Sequence, residues 1–237
     1  MKESEIQQTL RSTGAVITDS HIVYTSGKHG TAYINKDAVY PHTIETSHLC
    51  RAIAERFADN NVEVVIAPAI GGVILSQWVA FHLSMITRQD VLGIYAEKDE
   101  QSVIKANEDM TVTIEITLRQ GDELVIKKPE FVIKRGYDKL VVDKNVLAVE
   151  DVLTTGGSAK RVVEATQSIS DNIVGLGVLC NRGGVKREDV ADVPRLEALL
   201  NVQLDAWDEA DCPRCKDGVP INTDVGKGRE FLARQKA

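Results

Sequence analysis

The chain lacks a long run of apolar residues, a surplus of positive charge and a dense set of cysteines. Its longest apolar stretch is only a few residues, so we expect no transmembrane helix. Its 35 acidic side chains outnumber 28 basic ones, for a formal net charge of −7. This argues against a nucleic-acid partner, since such binding depends on Lys and Arg neutralising phosphates. Four cysteines in 237 residues do not make a disulfide framework.

The remaining composition is that of an ordinary globular protein, with 43% hydrophobic and 27% charged residues. The first residues, 1–5, are charged and lead into no apolar stretch, so we expect no secretory signal and a cytoplasmic location. No internal repeat or linker is visible, which favours a single domain over residues 1–237.

Strand and helix patterns alternate along most of the chain. The residue pattern predicts helices over residues 3–11, 43–60, 72–83, 157–170 and 196–200. It predicts a strand pair over 17–24, interrupted at 19–20, and strands over 63–67, 91–96, 146–149, 173–180 and 202–206. This order is typical of an α/β fold, a doubly wound, mostly parallel sheet with helices on both faces. Residues 97–142 interrupt it, because 111–118 alternate apolar and polar and precede a turn, which predicts an antiparallel hairpin on the core.

Residues 146–158, VLAVEDVLTTGGS, carry the clearest functional pattern. A buried strand ends in Glu150 and Asp151, and a turn of small residues then leads into a helix. Backbone N–H groups at such a helix start bind anions, here a phosphate monoester. The two carboxylates would repel that phosphate unless they bind vicinal hydroxyls or a cation, and a ribose 5-phosphate meets both needs. No Walker or dinucleotide glycine motif occurs.

These thirteen residues resemble, position by position, the signature of type I phosphoribosyltransferases, which bind phosphoribosyl pyrophosphate (PRPP). Over nearly the whole chain the sequence is similar to orotate phosphoribosyltransferases. The similar segments are a base-binding hood at 25–35, a pyrophosphate loop at 67–72, the two ends of a flexible catalytic loop at 96–98 and 134–137, a strand end at 180–184 and a CPxC tail at 212–220. The chain accordingly divides into a hood segment at 1–42, the loop insertion at 97–142 and a tail at 200–237.

The resemblance implies a role for each matching residue. PRPP would be bound by two loops, at Glu150, Asp151, Thr154, Thr155, Gly156, Gly157 and Ser158 and at Ala69, Ile70, Gly71 and Gly72. The base would be bound by Lys28, Tyr33, Thr154 and Arg182, with the Arg182 guanidinium paired with the orotate carboxylate. The catalytic residues would be Lys98, Lys134, Arg135 and Asp151.

The implied reaction is displacement of pyrophosphate from the anomeric carbon of PRPP by a ring nitrogen of orotate. Mg²⁺ is the implied cofactor and would arrive with PRPP, so no metal site built by the protein is expected. Residues 127–144 contain six basic and three acidic residues, so this part of the loop carries a net positive charge. That charge lies in the segment expected to close over the leaving pyrophosphate. Members of the family close this loop across a dimer interface, which implies a homodimer.

Three features depart from the family pattern. Thr25 and Gly71 stand where many or some members have lysine, and the insertion at 99–130 contains no histidine. Two other functions therefore remain open, transfer to a purine or another base and a PRPP-sensing regulator without catalysis. The second is disfavoured, since only about twenty residues precede the hood motif, too few for a DNA-binding domain.

Cys212 and Cys215 have the spacing of zinc ligands or of a redox pair. One such pair is half a zinc site, and Cys50 and Cys180 do not complete it, so packing is the favoured role. The five histidines are scattered along the sequence, and His29 is either a surface residue or a contact to the base.

Overall fold

The computed structural model describes residues 1–98 and 131–235. The hairpin predicted around residues 111–128 lies outside these ranges. Within them, no helix is long and apolar enough to cross a membrane.

Ten strands are described, and six of them form the central sheet. They are β1 (Val16–Ile17), β2 (Ile22–Val23), β3 (His29–Gly30), β4 (Tyr33–Ile34), β5 (Val64–Pro68), β6 (Leu92–Lys98), β7 (Phe131–Val132), β8 (Val146–Leu153), β9 (Ile173–Asn181) and β10 (Leu196–Asn201). The sheet order is β10-β9-β8-β5-β6-β7, parallel except for the antiparallel β6–β7 pair at one edge. In that pair Lys98 lies opposite Phe131, so the two ends of the predicted loop insertion are neighbours at the sheet edge.

The helices are α1 (Glu3–Ser12), α2 (Thr43–Phe57), α3 (Val73–Thr87), α4 (Asp138–Val141), α5 (Gly157–Gln167), α6 (Pro213–Lys216) and α7 (Gly228–Gln235). Strand side chains alternate between two faces. Val65 and Leu147 point to a core shared with α1, α2 and α3, whereas Ile66 and Ala148 point to a core shared with α5. Helices on both faces bury both sides of the sheet, which confirms the predicted fold class.

The last two predicted elements, a helix and a strand, are wrong. The sequence predicts a short helix over residues 196–200, which contain the good helix formers Leu, Glu and Ala, and a final strand over 202–206. Instead β10 occupies Leu196–Asn201 and pairs in parallel with β9, with Leu196 opposite Leu176. Residues 202–206 form no strand. Pairing with an open sheet edge outweighs the local helix preference of this short segment.

Two small antiparallel strand pairs lie near the carboxyl end of the sheet, where Tyr24 and Tyr33 contact Arg182. The β1–β4 pair joins Val16 to Ile34, and the β2–β3 pair joins Ile22 to Gly30. We call residues 21–30 the hood hairpin, counting His21 immediately before β2. The tail runs along it, since the His29 N–H donates to the Trp207 carbonyl and the Lys227 N–H donates to the Val23 carbonyl, both at 2.7 Å.

Candidate active site

The predicted phosphate loop joins β8 to α5 at the carboxyl edge of the sheet, where parallel α/β folds bind ligands. Gly156 precedes α5 in a left-handed conformation with φ of 74°. A Cβ at this position would lie 2.9 Å from side-chain carbons of both Val185 and Val190. Glycine therefore lets the loop turn tightly here and aim the first amides of α5 outward.

A cavity of about 400 Å³ lies above this loop. It is lined by residues from the hood, from both predicted PRPP loops and from β6, namely Tyr33, Lys36, Ala69, Ile70, Gly71, Gly72, Lys98, Glu150, Asp151, Thr154, Thr155, Gly156, Gly157, Ser158 and Arg182. The fold thus brings together every residue predicted to bind PRPP, although they come from two segments about eighty residues apart.

Asp151 is the most heavily bonded carboxylate of the cavity. Its Oδ2 accepts hydrogen bonds from Lys36 Nζ at 2.6 Å and from the Tyr40 hydroxyl at 3.1 Å. Its Oδ1 accepts one from the Val152 N–H at 2.6 Å. These donors neutralise the carboxylate and hold its oxygens at the cavity wall.

The pKa values of Glu150, Lys36 and Tyr40, which surround Asp151, are all raised. Burial, and then the charge of Asp151, raises the pKa of Glu150 well above its usual range. Burial alone would lower the pKa of Lys36, but the charge and hydrogen bond of Asp151 outweigh it and raise that pKa. Burial and the same charge raise the pKa of Tyr40. Lys36 therefore stays a cation and Tyr40 a hydrogen-bond donor.

The second loop, residues 68–72, lies opposite the phosphate loop. The Ala69 N–H donates to the Ala96 carbonyl at 2.8 Å, which ties the loop to β6. A Cβ at Gly71 would lie 2.6 Å from Asp151 Oδ2 and as close to Lys36 Nζ. Gly71 is therefore required by the ion pair that lies against it, and Lys36 provides a cation at this loop.

Arg182 follows β9 and reaches both the phosphate loop and the hood. Its Nε donates to Thr154 Oγ1 at 3.1 Å, and its guanidinium lies 5.4 Å from the Tyr33 ring centre and 5.7 Å from that of Tyr24. A Cβ at Gly183 would overlap the Thr154 carbonyl oxygen. This close backbone approach places Arg182 beside the loop.

A second cavity of about 380 Å³ adjoins the first one and shares Thr154, Thr155 and Arg182 with it. Its other walls come from the hood hairpin and the tail, at Tyr24, Thr25, Ser26, Leu204 and Ala206. Arg182 stands at the boundary between the two cavities, with phosphate-loop backbone on one side and aromatic and aliphatic groups on the other.

Three predicted residues do not line either cavity. Lys28 lies on the exterior of the hood hairpin, 3.9 Å from Asp208. Arg135 is exposed and its Nη2 contacts Glu97 at 2.8 Å, and Lys134 precedes it in the same loop. Glu97 raises the pKa of Arg135 through a hydrogen bond and its charge. His29 is fully buried, so neither of the two roles considered for it fits.

Lys36 and Tyr40 are site residues that the sequence reasoning missed. They lie in the segment after the hood motif, in and beyond a short 3₁₀ helix at Lys36–Ala38, and no glycine-rich or paired-acid pattern marks them. Their proximity to Asp151 depends on contacts between residues more than a hundred positions apart.

Residues 35–210 match the model of the phosphoribosyl transferase domain. The chain belongs to the phosphoribosyltransferase family. The match covers both loops of the cavity and Arg182, which agrees with the resemblance noted from the thirteen-residue loop.

Similar proteins share a more specific name. The chain is 35% identical over 221 residues to an orotate phosphoribosyltransferase of Pelotomaculum thermopropionicum, covering 93% of this chain and 95% of that protein. It is 32% identical to one from Desulforamulus reducens, over the same shares of both chains. A solved orotate phosphoribosyltransferase of Mycobacterium tuberculosis has the same fold, with a TM-score of 0.55 at 19% identity over 84% of this chain and 95% of that one.

Proposed function

We propose that this chain is an orotate phosphoribosyltransferase, a pentosyltransferase of pyrimidine nucleotide synthesis. In this reaction the bond from the anomeric carbon of PRPP to pyrophosphate breaks, and a bond from that carbon to a ring nitrogen of orotate forms. The nitrogen loses its proton to the departing pyrophosphate or to solvent, and the products are orotidine 5′-monophosphate and pyrophosphate. The observation that carries the proposal is the contact of Arg182 with the phosphate loop, in a chain whose relatives bear this name.

The two anionic ends of PRPP match the two loops. The 5-phosphate binds at the start of α5, where the backbone amides and the hydroxyls of Thr155 and Ser158 converge. Pyrophosphate binds toward residues 69–72, with Lys36 and Lys98 as the cations that line this side of the cavity. The ribose then lies over Glu150 and Asp151, where its vicinal hydroxyls donate to the carboxylates.

Lys36 and Asp151 change partners when substrate binds. In the free chain each neutralises the other at 2.6 Å. Incoming PRPP offers an anion to Lys36 and hydroxyl donors to Asp151, so both groups keep a partner as their own contact opens. The ion pair therefore keeps the empty site neutral and supplies both charges to the substrate.

The base binds on the hood side of Arg182. The guanidinium presents a planar pair of donors that matches the orotate carboxylate, and purines and uracil lack such a group. The aromatic rings of Tyr24 and Tyr33 face the guanidinium and restrict its orientation. Discrimination among bases thus depends on one cation that the hood holds in place.

Mg²⁺ fits this site as an ion that arrives with PRPP. It prefers substrate phosphates and one or two carboxylates, and the carboxylates of Asp37, Glu150 and Asp151 line the cavity. When bound, it neutralises charge on the departing pyrophosphate. The positions of Lys134 and Arg135 outside the cavity are consistent with a role in a neighbouring subunit, and we propose that the active form is a homodimer.

The decisive experiment is a substrate panel. The protein is mixed with PRPP and Mg²⁺, and loss of orotate absorbance is followed, with uracil, adenine and guanine tested in parallel. We expect turnover of orotate alone, with no reaction when PRPP is omitted. Turnover of a purine without orotate would overturn the base assignment. Tight PRPP binding without turnover of any base would instead indicate a PRPP-sensing regulator.

A further inference from the structure

Four potential metal ligands meet away from the active site, between the hood hairpin and the tail. They are His21, His29, Cys212 and Cys215, and their ligand atoms all lie within 4.8 Å of one another. Three of the four residues are buried, and Cys215 is partly so. We propose that these side chains bind a structural Zn²⁺ ion that fastens the tail to the hood hairpin.

The distances between the ligand atoms match a tetrahedral site. His21 Nε2 lies 3.6 Å from Cys212 Sγ and 3.5 Å from Cys215 Sγ, and His29 Nδ1 lies 3.3 Å from Cys215 Sγ. The two ring nitrogens are 2.9 Å apart. Ligands bound tetrahedrally at ordinary Zn–S and Zn–N bond lengths are separated by about 3.3–3.8 Å. An ion therefore needs only a small separation of the two rings.

The surroundings of the two histidines support this role. His21 Nδ1 lies 2.7 Å from the Val219 carbonyl oxygen, so a proton there leaves Nε2 unprotonated toward the cluster. Metal-bound histidines nearly always use their second nitrogen in this way. His29 Nε2 is buried without a hydrogen-bond partner among the described residues. If Nδ1 binds metal, that Nε2 carries a hydrogen rather than an unpaired lone pair, in a ring that packs against Phe231.

Backbone hydrogen bonds tie the residues of both histidines to the tail, on either side of the two cysteines in sequence. His29 exchanges two hydrogen bonds with Trp207, at 2.7 and 2.8 Å, and the His21 carbonyl accepts from the Asn222 N–H at 2.8 Å. Cys212 and Cys215 lie between these two tail segments, at the start and inside of the short helix α6. The tail therefore presents both thiols to a hairpin that it already touches on each side.

The set of ligands selects the metal. Two thiolates and two imidazoles in a closed cluster are the donors of structural zinc sites, and Mg²⁺ prefers oxygen. The ion would bind the hood hairpin at His29, and Tyr24 of the same hairpin faces Arg182. It would thus act as a positioning element for the base end of the active site, separate from the Mg²⁺ that arrives with PRPP.

The test is the metal content of the full chain, produced without a histidine tag and dialysed after growth in medium containing zinc. We expect inductively coupled plasma mass spectrometry to find about one zinc ion per chain. Cys212→Ser and Cys215→Ser should lose the zinc. Cys50→Ser and His48→Ala, which change a cysteine and a histidine outside the cluster, should keep it.

Cobalt substitution of the wild-type chain provides a readout that does not depend on whether the variants fold. Replacing zinc with Co²⁺ should give the thiolate charge-transfer and visible bands of a tetrahedral site. The proposal is overturned by zinc-free protein after growth with zinc, by Cys212→Ser/Cys215→Ser protein that keeps a full equivalent, or by an octahedral cobalt spectrum. A Cys212–Cys215 disulfide in protein prepared anaerobically with zinc would also overturn it.

Discussion

Asp151 accepts hydrogen bonds from Lys36 and Tyr40 in the free chain, so its charge is already compensated before any substrate binds. When PRPP binds, ribose hydroxyls would replace Lys36 as donors to this carboxylate, so Asp151 keeps hydrogen-bond partners throughout. In the proposed reaction the negative charge of Asp151 would stabilise the transition state, because that state carries positive charge at the anomeric carbon.

We expect Asp151→Asn to lower kcat/KM for PRPP by about 100-fold or more, since the amide keeps the shape but loses the charge. Steady-state kinetics at saturating orotate measures this effect. Asp171→Asn, an exposed carboxylate between α5 and β9, serves as the matched control and should retain normal kinetics. Equal activity of the two variants would rule out the proposed role of Asp151.

Arg182→Ala should weaken the binding of orotate rather than that of PRPP. A charge-assisted hydrogen bond contributes about 1.5–3 kcal/mol, so KM for orotate should rise about 10- to 100-fold while affinity for PRPP stays unchanged. Orotate titrations give the first quantity, and calorimetry with PRPP gives the second. Arg187→Ala, in the nearby 3₁₀ helix Arg187–Val190, is the control. An equal loss of PRPP affinity would show that Arg182 contacts phosphate instead of the base.

The hood hairpin is the element that connects Arg182 with the tail. A Cβ at Gly30 would overlap the Tyr24 ring, and the Tyr24 hydroxyl donates to the Ala32 carbonyl at 2.7 Å. The small residue at position 30 therefore determines where the Tyr24 ring lies. The ring in turn faces the Arg182 guanidinium.

We therefore expect Gly30→Ala to raise KM for orotate severalfold and to destabilise the chain by about 1–3 kcal/mol through overpacking. PRPP affinity should not change, because the phosphate loop is untouched. Kinetics together with urea unfolding separates the two effects. The control is Gly27→Asn in the same hairpin, where φ is 81° but no atom lies within 4 Å of an added Cβ. Unchanged orotate kinetics in Gly30→Ala would contradict this role of Tyr24.

At the scale of single helices and strands, predictions from residue periodicity succeed for long helices and fail for one short segment. The periodicity of residues 43–60 and 157–170 predicted α2 and α5 correctly to within a few residues. The same reasoning failed at residues 196–200, where helix-forming residues pair with β9 as an edge strand. Long helices with a buried face carry their own signal, whereas a six-residue segment takes its conformation from the partner that is available.

At the scale of the whole molecule, two basic residues that are predicted to be catalytic lie outside the cavity of their own chain. Lys134 and Arg135 belong to the loop that follows β7, yet neither lines the cavity of its own chain. A two-fold dimer in which each loop reaches the other subunit's cavity would give them access to the leaving pyrophosphate.

This arrangement predicts complementation between inactive variants. Arg135→Ala and Asp151→Asn should each have little activity, but unfolding and refolding them together should restore roughly a quarter of wild-type activity, because half of the dimers then contain one intact site. Light scattering should give about twice the mass of 26.0 kDa. Failure of a mixed dimer to regain activity would place each loop over its own site.

The order of residues alone was sufficient for the phosphate loop, for the alternation of strands and helices as far as β9, and for the family. These signals are local, since a strand, two acids and a glycine turn are adjacent in the chain. Only the tertiary structure revealed the Lys36–Asp151 pair, the contact of Arg182 with Thr154 and the His21–His29–Cys212–Cys215 cluster. Each of these joins residues that lie far apart in sequence, and their proximity results from sheet pairing and core packing that no short segment encodes.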